Sequence, residues 1–253
     1  MALQKGPFKI KGTLGDTTFA ETKNGFTARN KSRVPRDLLD KGRMFEKFRH
    51  NKTEFTRCLA AVKLMRHAFE EQVALGKDSR LSNRLQKQMM AVVKSDTTTG
   101  TERGMRTPQN GDLDMFRGFE FNERAQWNTS ILTGYSTSLD RVSGKFSLTV
   151  EPFTPRRAAN PPEGSDHFRI LCACSEVDFA ENTKNTVVAQ TAFLPIDATL
   201  LTLPPIAGNI TPNSTKILVL VVGIQFAQVV NGFEYPDTGG DFNSLTLVTV
   251  EQP

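Results

Sequence analysis

Hydrophobic and polar positions follow two periods along this chain, and the strongest stretch obeys neither. From Ile217 to Ile224 no residue carries a polar side chain; a half-alternating Gln225-Phe226-Ala227-Gln228-Val229-Val230 and the pair Asn231-Gly232 follow. Such β-branched density, closed by Asn-Gly, predicts a central strand buried on both faces that becomes an outer hairpin, with Gln225 and Gln228 turned to the surface. The run is too short to cross a bilayer, which takes about 20 apolar residues. Period-two segments predict further strands at 128–135, 145–152, 167–175, 187–195 and 243–250, separated by turn signals such as Val142-Ser143-Gly144 and Leu203-Pro204-Pro205. Short strands in series without intervening helices imply an antiparallel β-sandwich of immunoglobulin-like size over residues 127–253. No Cys-Trp-Cys signature accompanies them, so their topology stays open.

The N-terminal part reads differently. In residues 7–31 Phe8 and Ile10 alternate with Lys9 and Lys11. A loop is expected at Gly12–Asp16, a strand at Thr17–Thr22, and a tight turn at Lys23-Asn24-Gly25 leading into Phe26–Arg29. A β unit with so few apolar residues cannot close its own core, so it must pack on its own chain or on another, for example by strand addition at an open edge. Asp37 is the expected helix cap ahead of Leu38. One helix, opened by Thr53-Glu54-Phe55 and closed by Gly76, would bury Phe55, Leu59, Val62 and Phe69, with Cys58, Met65 and Val73 widening the stripe. A second, Ser79–Lys94, would bury Leu81, Leu85, Met89, Val92 and Val93, making an αα-hairpin. Asp96–Gly111 is a long polar loop, and three phenylalanines between Leu113 and Asn122 suggest a hydrophobic clasp. The fold class is therefore α+β, mainly β. It comprises a basic β-hairpin arm (1–36), a helical hairpin (37–95), a linker with the Phe-rich clasp (96–126) and the sandwich (127–253).

Charge sharpens this division. Residues 1–110 carry 23 Lys+Arg against 11 Asp+Glu, whereas residues 111–253 carry 9 against 16. A basic head on an acidic body can bind a polyanion or dock on the body of a neighbouring copy. With 23% charged and 38% hydrophobic residues the composition is that of a globular chain. Three cysteines make no disulfide framework. The start lacks the apolar run of a signal peptide, and Ala2 stands where myristoylation needs glycine. A cytoplasmic location, in an assembled particle, is the expectation, with no membrane partner.

Catalytic and metal motifs do not emerge. His50, His67 and His167 have no second ligand at metal spacing, and Cys172 and Cys174, on one face of a strand, cannot complete a tetrahedral zinc site. Gly12-Thr13-Leu14-Gly15 lacks the Gly-Lys-Ser/Thr of a phosphate loop. Ser143-Gly144 and Thr238-Gly239-Gly240-Asp241 fit hairpin turns better than a nucleophile elbow. Glu176, Asp178 and Glu181 have no calcium-loop spacing. No cofactor or small-molecule substrate is expected. Lys5, Lys9, Lys11, Lys23, Arg29, Lys31, Arg33 and Arg36, interleaved with Phe8, Phe19 and Phe26, are the candidate surface for a partner subunit or a polyanion.

The opening LQKGPFKIKGTLGDTTFAETKNGFTAR resembles the start of a family of uncharacterised proteins abundant in Bacteroidota. The resemblance continues at Arg117–Asn122, His167–Ile170, Val222–Phe226, Val230–Gly232 with Tyr235, and Asn243–Leu245 with Leu247-Val248. It implies little about activity, because the family has no assigned enzymatic function or cofactor, and no catalytic residue carries over from it. The expected function is that of a non-enzymatic structural or assembly protein that forms a homo-oligomer, filament or phage-like particle component. The alternative is a nucleic-acid-associated protein using the basic head.

Overall fold

The computed structural model describes residues 2–30, 34–76, 78–99, 104–239 and 241–253. The chain divides into two compact units, residues 1–50 and 51–253. The division falls at His50/Asn51, and the loop where the charge changes sign lies inside the second unit.

In the first unit β1 (Ala2–Leu3), β2 (Gly12–Leu14), β3 (Thr17–Thr22) and β4 (Gly25–Asn30) form an antiparallel sheet in the order β1-β4-β3-β2. The β3–β4 hairpin forms as its pattern predicts, with Gly25 at φ 106° after the turn. Gly12–Leu14, expected as loop, is the strand β2. Phe8 and Ile10, expected as strand, lie in an irregular crossing from β1 to β2. Gln4 explains the change: its side-chain amide accepts from the Ile10 N–H at 3.0 Å and donates to the Ile10 carbonyl at 3.2 Å, taking the groups a ladder would need. α1 (Arg36–Lys41) follows, with Pro35 at its N-cap and Asp37 inside the first turn. A 3-10 turn at Arg43–Phe45 leads into α2 (Glu46–Ala68).

The second unit contains most of α2, then α3 (Glu70–Gly76), α4 (Leu81–Ser95), β5 (Phe119–Glu120), α5 (Trp127–Ser130), β6 (Tyr135–Asp140), β7 (Lys145–Val150), α6 (Pro155–Ala158), β8 (His167–Asp178), β9 (Thr183–Gln190), β10 (Leu194–Pro195), β11 (Ile206–Asn209), β12 (Ile217–Val230), β13 (Phe233–Pro236) and β14 (Ser244–Glu251). Among the described residues these strands form two sheets. One, in the order β10-β8-β12-β14-β5, also pairs β9 with β8 and β13 with β12; the other runs β11-β7-β6.

β12 is the spine its sequence predicts. It pairs with β8 from Ile217↔Val177 to Ala227↔His167, and with β14 on its other side. Ile217, Val219 and Val221 share a buried cluster with Cys58, Met65, Phe69, Leu85, Met89 and Val92 of the helices. Leu218, Leu220, Val222, Ile224 and Phe226 share another with Phe146, Leu148 and Ile206 of the small sheet. The large sheet thus stands between a helical layer and a second sheet, so both faces of β12 are apolar. The two sheets form the sandwich, and Phe116 and Phe121 of the predicted clasp are fully buried on the helical side.

Three local expectations change. Residues 128–130 belong to α5 instead of a strand, because the Gln126 N–H donates to Thr129 Oγ1 at 3.1 Å and caps a helical turn under buried Trp127. The helix expected from Thr53 to Gly76 breaks at Phe69. Its buried stripe runs Glu54-Cys58-Ala61-Met65-Ala68, leaving Phe55 and Leu59 exposed. A buried glutamate heads that stripe, which hydrophobic periodicity does not register. Gln225 is buried as well, accepting from Arg169 Nε at 2.6 Å.

Candidate interaction surface

The first unit has no closed interior. Thr27 is the one buried residue among its described positions, while Phe8 is 87% exposed, Leu14 71% and Met44 78%. A sheet that leaves such side chains in water lacks the hydrophobic burial that stabilises an independent domain. β1 and β2 are its edges, and no further strand pairs with either among the described residues. Open edges beside exposed apolar groups are where sheets add a partner.

The register sorts the basic side chains. Gln4 N–H donates to the Phe26 carbonyl at 2.9 Å, so Lys5 follows β1 at the end where Lys23 sits in the β3–β4 turn. Lys9 Nζ donates to the Gln4 and Gly6 carbonyls at 2.7 Å, closing the crossing loop. Lys11 pairs with Glu21 and stands 5.8 Å from the Phe26 ring centre. Lys5, Lys9, Lys11 and Lys23 therefore gather at one end of the sheet. Arg29 lies toward the other end, opposite Thr18, and Arg36 pairs with Asp40 at 3.8 Å in α1. Lys31 and Arg33 lie outside the described residues. Residues 1–50 carry 12 Lys+Arg against 5 Asp+Glu, a net charge of +7. That excess resides in the unit that lacks a core.

In the second unit the buried ionic groups are tied into structure. Glu54 accepts from Gly104 N–H at 2.7 Å and is clasped by Arg106, and Arg57 donates to the Gly104 and Arg106 carbonyls. Burial would raise the Glu54 pKa, yet the bonds from Arg106 and Gly104 hold it below the usual range. Asp96 accepts from the Thr98, Thr99 and Thr107 N–H groups, and burial is again outweighed, so its carboxyl stays well below the ordinary value. The described part of the long polar loop is thus clamped by two carboxylates. Glu176 accepts from Asn185 at 2.8 Å and Thr211 at 2.9 Å, and Asp178 accepts from the Ala180 and Glu181 N–H groups, so this acidic stretch closes a turn. No cluster of three or more His, Cys, Asp or Glu is gathered for a metal among the described residues.

Glu120 is the one carboxyl among the described residues held above its ordinary value, and the sequence did not single it out. Burial pushes it up to about 7, against hydrogen bonds from Thr246 Oγ1 at 2.6 Å and the Trp127 N–H and against the nearby charge of Arg84. It stands on the edge strand β5, where neither spacing nor a motif marks it. Burial also raises the three thiols: Cys58 to about 11, Cys172 and Cys174 to about 12. Asp140 accepts from Ser143 Oγ at 2.5 Å across the β6–β7 hairpin turn, as expected, whereas Gly239, whose N–H Asp237 accepts, lies in the link between β13 and β14, which pair with β12 and not with each other, so the hairpin turn expected there is a link along one edge of β12; Gly240 lies outside the described residues. Among the described residues no helix is long and apolar enough to cross a membrane.

These features define a class: an α+β, mainly β protein, with a large antiparallel sheet covered on both faces and a small basic sheet lacking a core. Comparison of the chain with family models, with curated proteins and with solved structures gives no match.

Proposed function

We propose that this protein is a non-enzymatic structural or assembly component that self-associates through its basic N-terminal unit, building an oligomer, a filament or part of a phage-like particle. One observation carries the reading: residues 1–50 bury Thr27 alone among their described positions and hold open strand edges and apolar side chains in water. Covering that surface with a neighbour supplies the missing burial, and the excess of acidic residues beyond position 110 supplies the opposite charge. Head-to-tail contacts of this kind close into rings or extend as filaments, according to the rotation between copies. Light scattering on the full chain at low and high salt tests it: concentration-dependent association is expected, and a monomer under both conditions at high concentration overturns it.

Nucleic-acid binding is the second reading. It is favoured by Lys5, Lys23 and Arg29, for which no carboxylate partner occurs among the described residues. Anisotropy of labelled single-stranded DNA and RNA should then rise at low salt and fall steeply as salt increases. No change at low salt ends this reading.

A further inference from the structure

The small sheet of the sandwich ends in an open strand. β6 pairs with β7 from Tyr135↔Val150 to Asp140↔Lys145 without a bulge, and among the described residues no strand pairs with its other edge. The Glu151 N–H donates to the Gly134 carbonyl at 2.9 Å, so Gly134, Ser136, Ser138 and Asp140 turn their backbone groups toward β7. Tyr135, Thr137 and Leu139 therefore point their N–H and carbonyl groups away from the sheet, where no partner meets them among the described residues. Natural sheets blunt such an edge with lysine, proline or a bulge. The strand Tyr-Ser-Thr-Ser-Leu-Asp holds none of these.

The core is unfinished along the same line. Tyr135, Thr137 and Leu139 carry the inward side chains of β6 and stay half-exposed, whereas Phe146, Leu148 and Val150 beside them on β7 are buried. Tyr135 tilts against Trp127 with ring centres 4.9 Å apart, and Leu139 packs on the same cluster, each from one side only. A further strand at this edge would extend both the ladder and the core.

The residues around Thr137 say which strand. Ser136 and Ser138 flank it, then Tyr135 and Leu139, and further out Leu132 and Val142 at equal remove. Leu132 is 71% exposed and Val142 69%. A second β6, antiparallel and centred on Thr137, sets Tyr135 against Leu139, Ser136 against Ser138 and Leu132 against Val142. In that register the free backbone groups of both strands find partners and apolar side chains meet apolar side chains. At each end the row runs Lys145, Asp140, then Gly134 of the second copy with its Glu151 carboxylate alongside, so one lysine stands by two carboxylates.

We infer that two copies join edge to edge through β6 about a two-fold axis at Thr137, merging their three-stranded sheets into one. The same patch serves on both copies, so the contact closes at a dimer. It is separate from the N-terminal surface proposed above. Backbone bonds and apolar pairs hold it, so high salt should leave it intact.

Light scattering on the full chain in high salt, with circular dichroism to verify folding, tests the inference. Wild type is expected as a concentration-dependent dimer. Thr137→Pro removes an outward N–H without touching the β7 ladder and should give a folded monomer. The register is read by mixing Ser136→Cys and Ser138→Cys variants with oxidised glutathione. Those positions face each other as a close, non-hydrogen-bonded pair, so the mixture should form a cross-linked dimer that neither variant forms alone. The native thiols are buried and stay out of the reaction. A wild type that is monomeric in high salt overturns the inference, and association confined to low salt then leaves the N-terminal reading standing by itself. A dimer that survives the proline in a folded chain, or a mixture that cross-links no more than its components, overturns it too. Should the proline variant misfold, the cysteine pair at exposed positions decides.

Discussion

Arg106 closes on Glu54 with two parallel bonds, Nε to Oε1 at 2.9 Å and Nη2 to Oε2 at 2.8 Å, although Glu54 sits in α2 and Arg106 in the polar loop after α4. The carboxylate is almost fully buried, and the pair is the bolt between that loop and the helical layer. Replacing one partner leaves a buried charge without its counterpart. Glu54→Gln should lower stability by about 2–3 kcal/mol in urea denaturation, and Arg106→Gln in that background should cost little more, because the interaction is already lost.

Acid should loosen the same region. Glu54 and Asp96 are both held below their ordinary values of 4.5 and 3.8, so their contribution is complete above those values and is lost as pH falls through the depressed range. Denaturation midpoints should drop between about pH 5 and about pH 2, and Asp96→Asn, already less stable, should show a shallower drop over that interval.

Glu120 predicts the opposite sign. Its folded-state pKa is raised from 4.5 to about 7, so the stability linked to its protonated form is complete below 4.5 and is lost as pH rises through about 7. Glu120→Gln keeps an acceptor for Thr246 and has no charge to bury. The variant should be more stable than wild type by about 1–2 kcal/mol near pH 8, a figure reduced for solvent screening at this half-buried site, with the gap closing near pH 5. Thermal melts at the two pH values measure it.

At Gly223, in the middle of β12, a Cβ would lie 2.6 Å from the Ser244 carbonyl oxygen and 3.2 Å from Leu245 Cδ1. The obstacle is backbone of the paired strand, which cannot turn aside. Gly223→Ala should cost about 2–3 kcal/mol, read as a lower urea midpoint with an unchanged denaturant slope.

The three thiols should be silent. Cys58, Cys172 and Cys174 are fully buried, with pKa values pushed up to about 11 to 12. A maleimide at about pH 7 should label none in the folded chain and all three after unfolding. Rapid labelling of the native protein would show that the core around β8 opens.

The spine was legible from residues because its signal is local and redundant: unbroken β-branched density from Ile217, then Asn231-Gly232 at the turn. The hairpin Thr17–Asn30 and the second helix, with Leu81, Leu85, Met89 and Val92 buried as spaced, were legible for the same reason. Less could be read wherever a polar group is buried or a ladder is diverted. At the start of α2 Glu54 took the buried position expected of Phe55 and left Phe55 and Leu59 outside, while Cys58, Val62, Met65 and Phe69 went inside as spaced; Gln225 went inside to meet Arg169, and Gln4 took the backbone groups of Ile10 out of a strand.

The candidate surface divides along the same line. Its basic residues and its poverty of apolar ones are properties of composition, visible in residues 1–50 without coordinates. That Lys5, Lys9, Lys11 and Lys23 meet at one end and that Arg29 does not are consequences of strand pairing. Periodicity reports the environment each residue type prefers on average, so it found the strands, the helices and the mainly β class. Which partner a buried carboxylate meets, such as Glu54 with Arg106 at 52 positions' remove, is settled by packing between distant segments, and no local pattern encodes it.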